Sequence, residues 1–304
     1  MLKEIKSRYI IKEILNILNE GRKLNLIKYN KLFQDKIDVT KIDYRKYCQI
    51  EIELSLIEIK DSKRMNFINR AEESLNLYHI YFNNERKEKK RNYVTNRESI
   101  KKIKIIIEFE IKSLKELFSF CECIKSIKFT KFNRGDIIDM NSLFSNCMSL
   151  TEIDFEQFKT KNVTDMSYMF YNCNNLTNID LSKFITTNVT NMNNMFSWCN
   201  QIIELDLKYF NTEKVIDMGQ MFSCCSSLKN IDISNFNFNN VNNMYYMFSG
   251  CESLNISNNF ENIVINNNTN IEGMFLECSE ELKEKIKKEN KIINEEAFCS
   301  RKLS

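Results

Sequence analysis

The chain has no proline, five glycines, one histidine and one tryptophan in 304 residues. The lack of proline excludes Pro-rich linkers and polyproline docking segments. Neither G-x-x-x-x-G-K-[ST] nor G-x-G-x-x-G occurs, which excludes the glycine loops that cradle nucleotide phosphates. With His79 as the single imidazole, Ser-His-Asp triads, His-based acid–base catalysis and His-rich metal sites lack material. Apolar runs are short, Ile105-Ile106-Ile107 being typical, whereas a membrane-spanning helix needs roughly 18 residues. The first eight residues are charged where a signal peptide needs an apolar stretch. These absences predict a cytoplasmic protein that is not an enzyme, needs no cofactor or metal and does not insert into a membrane.

Isoleucine, lysine and asparagine are abundant, a skew that fits an AT-rich coding sequence and carries little functional weight. The net charge of +3 is unevenly placed. Residues 1–100 carry 22 Lys/Arg against 15 Asp/Glu, and residues 121–278 carry 10 against 17, so a basic module is joined to an acidic one. No concentrated basic footprint of a nucleic-acid binder is present.

The dominant feature is an internal repeat. A Leu/Met-Phe pair followed by x-x-Cys recurs at Phe118, Phe144, Phe170, Phe196, Phe222, Phe248 and Phe275, at intervals of 26 residues and once 27. The matching cysteines run from Cys121 and Cys147 to Cys251 and Cys278, and account for seven of the eleven in the chain. Val163, Met166, Met169, Phe170 and Cys173 fall at spacings that predict one face of a short helix. Leu150, Ile153, Phe155 and Phe158 alternate centrally, as a strand does. The unit thus predicts an α/β leucine-rich-repeat solenoid of about seven turns, each a short strand plus a short helix, over residues 101–278. A helical module with a connecting segment would precede it over 1–100, and a helical cap would follow over 279–304.

The segment Asn162-Val163-Thr164-Asp165-Met166-Ser167-Tyr168-Met169-Phe170-Tyr171-Asn172-Cys173, with Leu176-Thr177-Asn178-Ile179-Asp180-Leu181-Ser182 after it, resembles the BspA-like leucine-rich-repeat proteins. That resemblance implies a curved solenoid with adhesion or protein-binding roles, often at cell surfaces. Residues 5–33 read as two helices broken at Glu20-Gly21-Arg22. A helical pair ahead of leucine-rich repeats resembles an F-box adaptor of a ubiquitin ligase, although the usual Leu-Pro opening and later tryptophan are missing. A plain helical cap or an independent small module is the other reading of this segment. Residues 51–60 alternate and then lose their pattern, which leaves their state open.

Two columns invite chemistry. The cysteines lack the C-x-x-C pairs of zinc sites, and at a repeat position they read as small buried hydrophobes. Asp154, Asp180, Asp206 and Asp232 lie between inward strand residues, so they should point outward, with Glu152, Glu156 and Glu204 extending an acidic strip. Two readings stay open for that strip. Each aspartate can bond neighbouring backbone and serve the fold, or the strip can bind a protein partner of basic character along the extended surface of a repeat array. No small-molecule substrate is implied. Sequons at Asn162, Asn175, Asn188, Asn255 and Asn267 read as accidents of asparagine and threonine richness.

Overall fold

A computed structural model describes residues 45–60, 63–255, 263–290 and 292–299. The helical pair expected over 5–33, and its F-box-like reading, lie outside the described residues.

Alternating apolar residues between positions 50 and 132 build the first layer. Strand β1 (Ile50–Leu56) buries Ile50, Ile52, Leu54 and Leu56 on one face. It pairs antiparallel with β5 (Lys102–Ile107) on one side and β6 (Ile124–Phe132) on the other. Strand β3 (Tyr78–Phe82) pairs antiparallel with β5, and β7 (Glu152–Asp154) joins β6 in parallel. The result is a mixed five-stranded sheet in the order β3-β5-β1-β6-β7. Two-stranded pairs form between β2 (Met65–Asn66) and β4 (Tyr93–Val94), and between β8 (Glu204–Leu205) and β9 (Asn230–Ile231). The segment expected to connect the helical pair to the repeats therefore forms strands from Ile50 onward, which settles the open state of residues 51–60 as strand through Leu56, and β5 continues the sheet past position 100.

The prediction of a leucine-rich-repeat solenoid with seven strand-plus-helix turns and helical caps is overturned. Among the described residues, the helical elements are residues 45–47, α1 (Glu280–Glu289) and two short 3-10 turns, Glu72–Leu77 and Glu295–Phe298. None lies inside the repeated unit. The segment read as a helix instead holds two left-handed residues four positions apart, Tyr168 (φ 57°) and Asn172 (φ 59°) in one turn, Asn194 and Trp198 in the next. A right-handed helix cannot pass through such residues. Backbone hydrogen bonding alternates to match. The N–H groups of Met166, Tyr168, Phe170 and Asn172 donate forward to the carbonyls of Asn191, Asn193, Met195 and Ser197 at 2.8–3.0 Å. Met169, Tyr171 and Cys173 donate back three residues within their own turn. Two consecutive four-residue turns place apolar side chains at much the same spacing as a helix does, which is why the periodicity misleads.

What stacks is therefore a ladder of non-helical turns. Parallel bridges link Ser113, Asp139, Asp165, Asn191, Asp217, Asn243 and Asn270 in sequence. The phenylalanines lie face to face along it: Phe170 and Phe196 at 5.3 Å and 9°, Phe196 and Phe222 at 5.8 Å and 2°, Phe248 and Phe275 at 5.5 Å and 7°. Offset aromatic stacking at these distances adds to area burial. A threonine column is also enclosed. Thr186 Oγ1 donates to the carbonyl of Asn211 at 2.8 Å and accepts its N–H at 2.7 Å, and Thr160 and Thr212 repeat the exchange with Ile185 and Asn237.

Both ends of the ladder are closed by chain from outside it. At the start, Asn69 N–H donates to the Leu117 carbonyl and Arg70 Nη2 to the Lys115 carbonyl. At the finish, Gly273 and Phe275 N–H groups donate to Glu296 and Ala297, and Phe298 stacks on Phe275 at 6.0 Å. No helix among the described residues is long and apolar enough to cross a membrane.

Candidate functional site

The acidic strip begins where β6 meets β7. Ile153 and Phe155 point inward and are buried, so Glu152, Asp154 and Glu156 between and beside them are turned to the outside. One turn on, Ile179 and Leu181 bracket Asp180; Leu205 and Leu207 bracket Asp206; Ile231 and Ile233 bracket Asp232. Glu204 opens β8 and is exposed.

Each aspartate uses one carboxylate oxygen to hold its own chain. Oδ1 accepts the N–H two residues ahead in every case: Glu156 for Asp154 at 3.0 Å, Ser182 for Asp180 at 2.9 Å, Lys208 for Asp206 at 3.1 Å, and Ser234 for Asp232 at 2.9 Å. This is the local turn that Asp readily forms with backbone. The second oxygen separates the column into two kinds. Asp154 Oδ2 pairs with Lys128 Nζ at 2.7 Å, and Asp206 Oδ2 with Lys208 Nζ at 2.7 Å. Asp180 and Asp232 have serine where Asp206 has lysine.

All four carboxyls sit below the ordinary carboxylate range. The Lys128 ammonium, then the Glu156 N–H, holds Asp154 down. The Ser182 hydroxyl and N–H do so for Asp180, Lys208 for Asp206, and the N–H and hydroxyl of Ser234 for Asp232. Asp206 in turn opposes the ionisation of both Asp180 and Asp232. The three are therefore one electrostatic neighbourhood, charged at neutral pH.

The structure couples Asp180, Asp206 and Asp232, with Glu204 exposed on the same turn as Asp206, and it pairs Asp154 between Glu152 and Glu156 with Lys128. The sequence reading of the strip left out Lys128. The signal was available, because Lys128 stands 26 residues before Asp154 and pairs with it in the β6–β7 register.

A second polar centre lies on the first sheet. His79 Nδ1 is 3.0 Å from Glu88 Oε1 and Nε2 is 2.8 Å from Glu108 Oε1, while Gln49 Nε2 donates to the same Glu108 oxygen at 2.8 Å. It ties β3 and β5 to the loop after β3. Among the described residues no group of three or more His, Cys, Asp or Glu is placed to hold a metal ion.

The ladder cysteines are buried thiols. Cys147, Cys173, Cys199, Cys225, Cys251 and Cys278 each donate to the carbonyl of a phenylalanine in the preceding turn at 3.0–3.2 Å. Burial pushes their ionisation up, to about 12 for Cys278. Three sequon asparagines are also committed to the ladder. Asn162, Asn175 and Asn188 each donate Nδ2 to a carbonyl of the preceding turn, Gly135, Met148 and Lys161.

A family model described as Mycoplasma protein of unknown function, DUF285, matches residues 112–204 and 178–290, the part of the chain that forms the ladder and α1. No curated protein and no solved structure matches the chain.

Proposed function

The chain belongs to the DUF285 family, and from that footing we propose that it is a non-enzymatic interaction protein whose acidic column binds a basic segment of a partner protein. One observation carries this reading. Asp180 and Asp232 each give Oδ1 to their own turn and stay exposed, so the fold is served while charge still faces outward; Asp206 between them does the same with Oδ1 and pairs Oδ2 with Lys208. Glu204 adds an exposed carboxylate between them in the chain order. Four acidic groups on three successive turns, with Lys208 the one cation paired among them, leave a net negative field that attracts a Lys/Arg-rich partner and steers its approach. The open charge is narrower than the strip seen in sequence, since Lys128 pairs with Asp154 and Lys208 with Asp206, which leaves Asp180, Glu204 and Asp232 as its main carriers. The ladder thiols are buried and donate hydrogen bonds as reduced cysteines, which suits a reducing compartment, and we set the protein in the cytoplasm on that ground.

The test uses the full chain and a fluorescent Lys/Arg-rich peptide as probe. Replacing Asp180, Asp206 and Asp232 by Asn and Glu204 by Gln removes the charge, while each Asn still accepts the turn hydrogen bond. The expected result is peptide affinity that falls at least tenfold at low salt, with a melting temperature close to that of the parent. Unchanged affinity would remove the basis for the reading, and so would a collapse of stability.

A further inference from the structure

A second surface of the ladder has a chemistry of its own. It consists of the exposed positions between the buried Met, Phe and Cys columns. Residues 138–148, 164–174, 190–200, 216–226 and 242–251 contain no Lys or Arg. Their acids are Asp139, Asp165 and Asp217, which are half-buried and hydrogen-bonded within the ladder. Asp165 Oδ1 accepts from the N–H and hydroxyl of Ser167, and Asp217 Oδ1 accepts from Gly219 N–H at 2.8 Å and from Asn193 and Asn243 amides at 3.1 and 3.0 Å. What remains outward is amide, hydroxyl and aromatic ring, with the aliphatic side chains of Ile138, Met148 and Ile216 at its margins.

The rings are seated against the ladder backbone. A Cβ on Gly219 would stand 2.6 Å from both Cδ1 and Cε1 of Tyr245, so that ring rests directly on the glycine backbone. Its hydroxyl is fixed by Gln220 Nε2 at 2.6 Å. A Cβ on Gly273 would stand 2.9 Å from Tyr246 Cε1, so the neighbouring ring lies on the following turn in the same way. Two of the five glycines in the chain thus serve to seat tyrosines. Further along, Tyr168 and Tyr171 contact at 5.5 Å, and Tyr168 and Trp198 are 37% and 46% exposed. Tyr245 and Tyr246 are half-buried and cross at 80° with centroids 5.7 Å apart, so the pair presents one ring face beside one ring edge.

We propose that this tyrosine-bearing turn face is a binding platform for a neutral polysaccharide. The C–H faces of pyranose rings stack on flat aromatic rings, and their hydroxyls exchange hydrogen bonds with amides and hydroxyls. Tyr, Asn and Ser make an adaptable surface of this kind at low entropic cost. The turns repeat at the 5.3–6.0 Å that separates the stacked phenylalanines, a step comparable with one hexose unit of an extended chain. A polyanionic polymer finds no cation here. A protein partner is disfavoured as well, because protein hot spots cluster centrally in desolvated pockets, whereas these rings are spread over several turns.

The experiment measures retention of the full chain in native affinity gels containing galactomannan, xyloglucan, amylopectin or dextran, with hyaluronan as the anionic control. Retardation is expected with at least one neutral polymer, and a weaker effect or none with hyaluronan. Tyr245→Ala and Tyr168→Ala should each weaken retention at least tenfold with an unchanged circular dichroism spectrum, and Tyr168→Phe should keep it. Gly219→Ala, which places a methyl group where the Tyr245 ring lies, should act like the loss of the ring. The acidic-column variants should bind the polymer as the parent does, which separates this surface from the peptide-binding reading. Failure of every neutral polymer would overturn the proposal. So would retention indifferent to Tyr168 and Tyr245, or capture of a protein through these tyrosines without polymer binding.

Discussion

The thiol of Cys173 donates to the carbonyl of Phe144 at 3.2 Å, across the gap between consecutive turns. The same oxygen also accepts the N–H of Cys147 at 3.1 Å within its own turn. Each such phenylalanine carbonyl is therefore satisfied twice, once by its own turn and once by the next. A serine would suit the bond and lose the apolar contact, whereas cysteine supplies both.

Removing that thiol has a bounded cost. Cys173→Ala forfeits a weak hydrogen bond and leaves a small void, and is expected to lower stability by about 1–2 kcal/mol. Cys173→Leu inserts volume beside stacked rings and should cost more, about 2–3 kcal/mol. Urea unfolding of the two variants checks both the values and their order.

The thiol column also sets an alkaline limit. Burial raises Cys123 and Cys278 from 9.0 to about 12, and the fully buried thiols are raised as well. Between about pH 9 and 12 the unfolded chain loses thiol protons that the folded chain keeps, so stability is present below pH 9 and falls as pH rises through that window. Melting temperatures across this range should drop steeply, and a variant with two ladder cysteines changed to alanine should drop less steeply. In the same preparations an aromatic disulfide reagent should label the exposed Cys299 quickly and the ladder thiols only after unfolding.

Thr186 gives a sharper test of the ladder. Its hydroxyl both donates to and accepts from Asn211, in a site 1% exposed. Thr186→Val keeps the shape and strands a buried N–H and a buried carbonyl, a loss of about 2–4 kcal/mol. Thr186→Ser keeps both bonds and should cost about 1 kcal/mol or less through the lost methyl. Thermal or chemical denaturation that ranks serine below valine would contradict this account.

At acid pH the weak point is Asp136. Burial alone would raise its carboxyl, but the bidentate Arg134 guanidinium, at 2.8 and 3.0 Å, and the Lys112 ammonium hold it at about 2. Its folded value lies below the unfolded one, so the stability it contributes is present above pH 3.8 and is lost as pH falls toward 2. Arg134 itself is buried, with its side chain 0% exposed. Asp136→Asn should therefore destabilise at neutral pH, by about 2–3 kcal/mol, and should flatten the acid limb of a stability–pH curve.

Much of the architecture was written in the repeat and some of it was not. The 26-residue interval between Asp139, Asp165 and Asn191 is the interval of the bridges that join them. The outward position of Asp180 followed from alternation of Ile179 and Leu181, because period two fixes the face. The helix failed because Met166, Met169, Phe170 and Cys173 occur at spacings common to a helix and to paired four-residue turns. Only the left-handed backbone at Tyr168 and Asn172 distinguishes them, and tyrosine gives no hint of it. The five-stranded sheet was obscured for another reason. Glu51-Ile52-Glu53-Leu54 alternate visibly, yet their partners lie about 50 and 75 residues away, and single-chain periodicity carries no information on pairing. The seats under Tyr245 and Tyr246 were legible only as scarce glycines until their surroundings were known.

The forward hydrogen bonds give the ladder a direction, with donors leaving each turn for the next and foreign chain closing both ends. Every interior turn therefore presents the same two interfaces, and a whole unit can be spliced in or out while its neighbours meet as before. A shift of one residue throws every later column out of register. Length in such a gene should drift by unequal recombination in whole-unit steps, so relatives with more or fewer turns but the same ends are the expected product of its history.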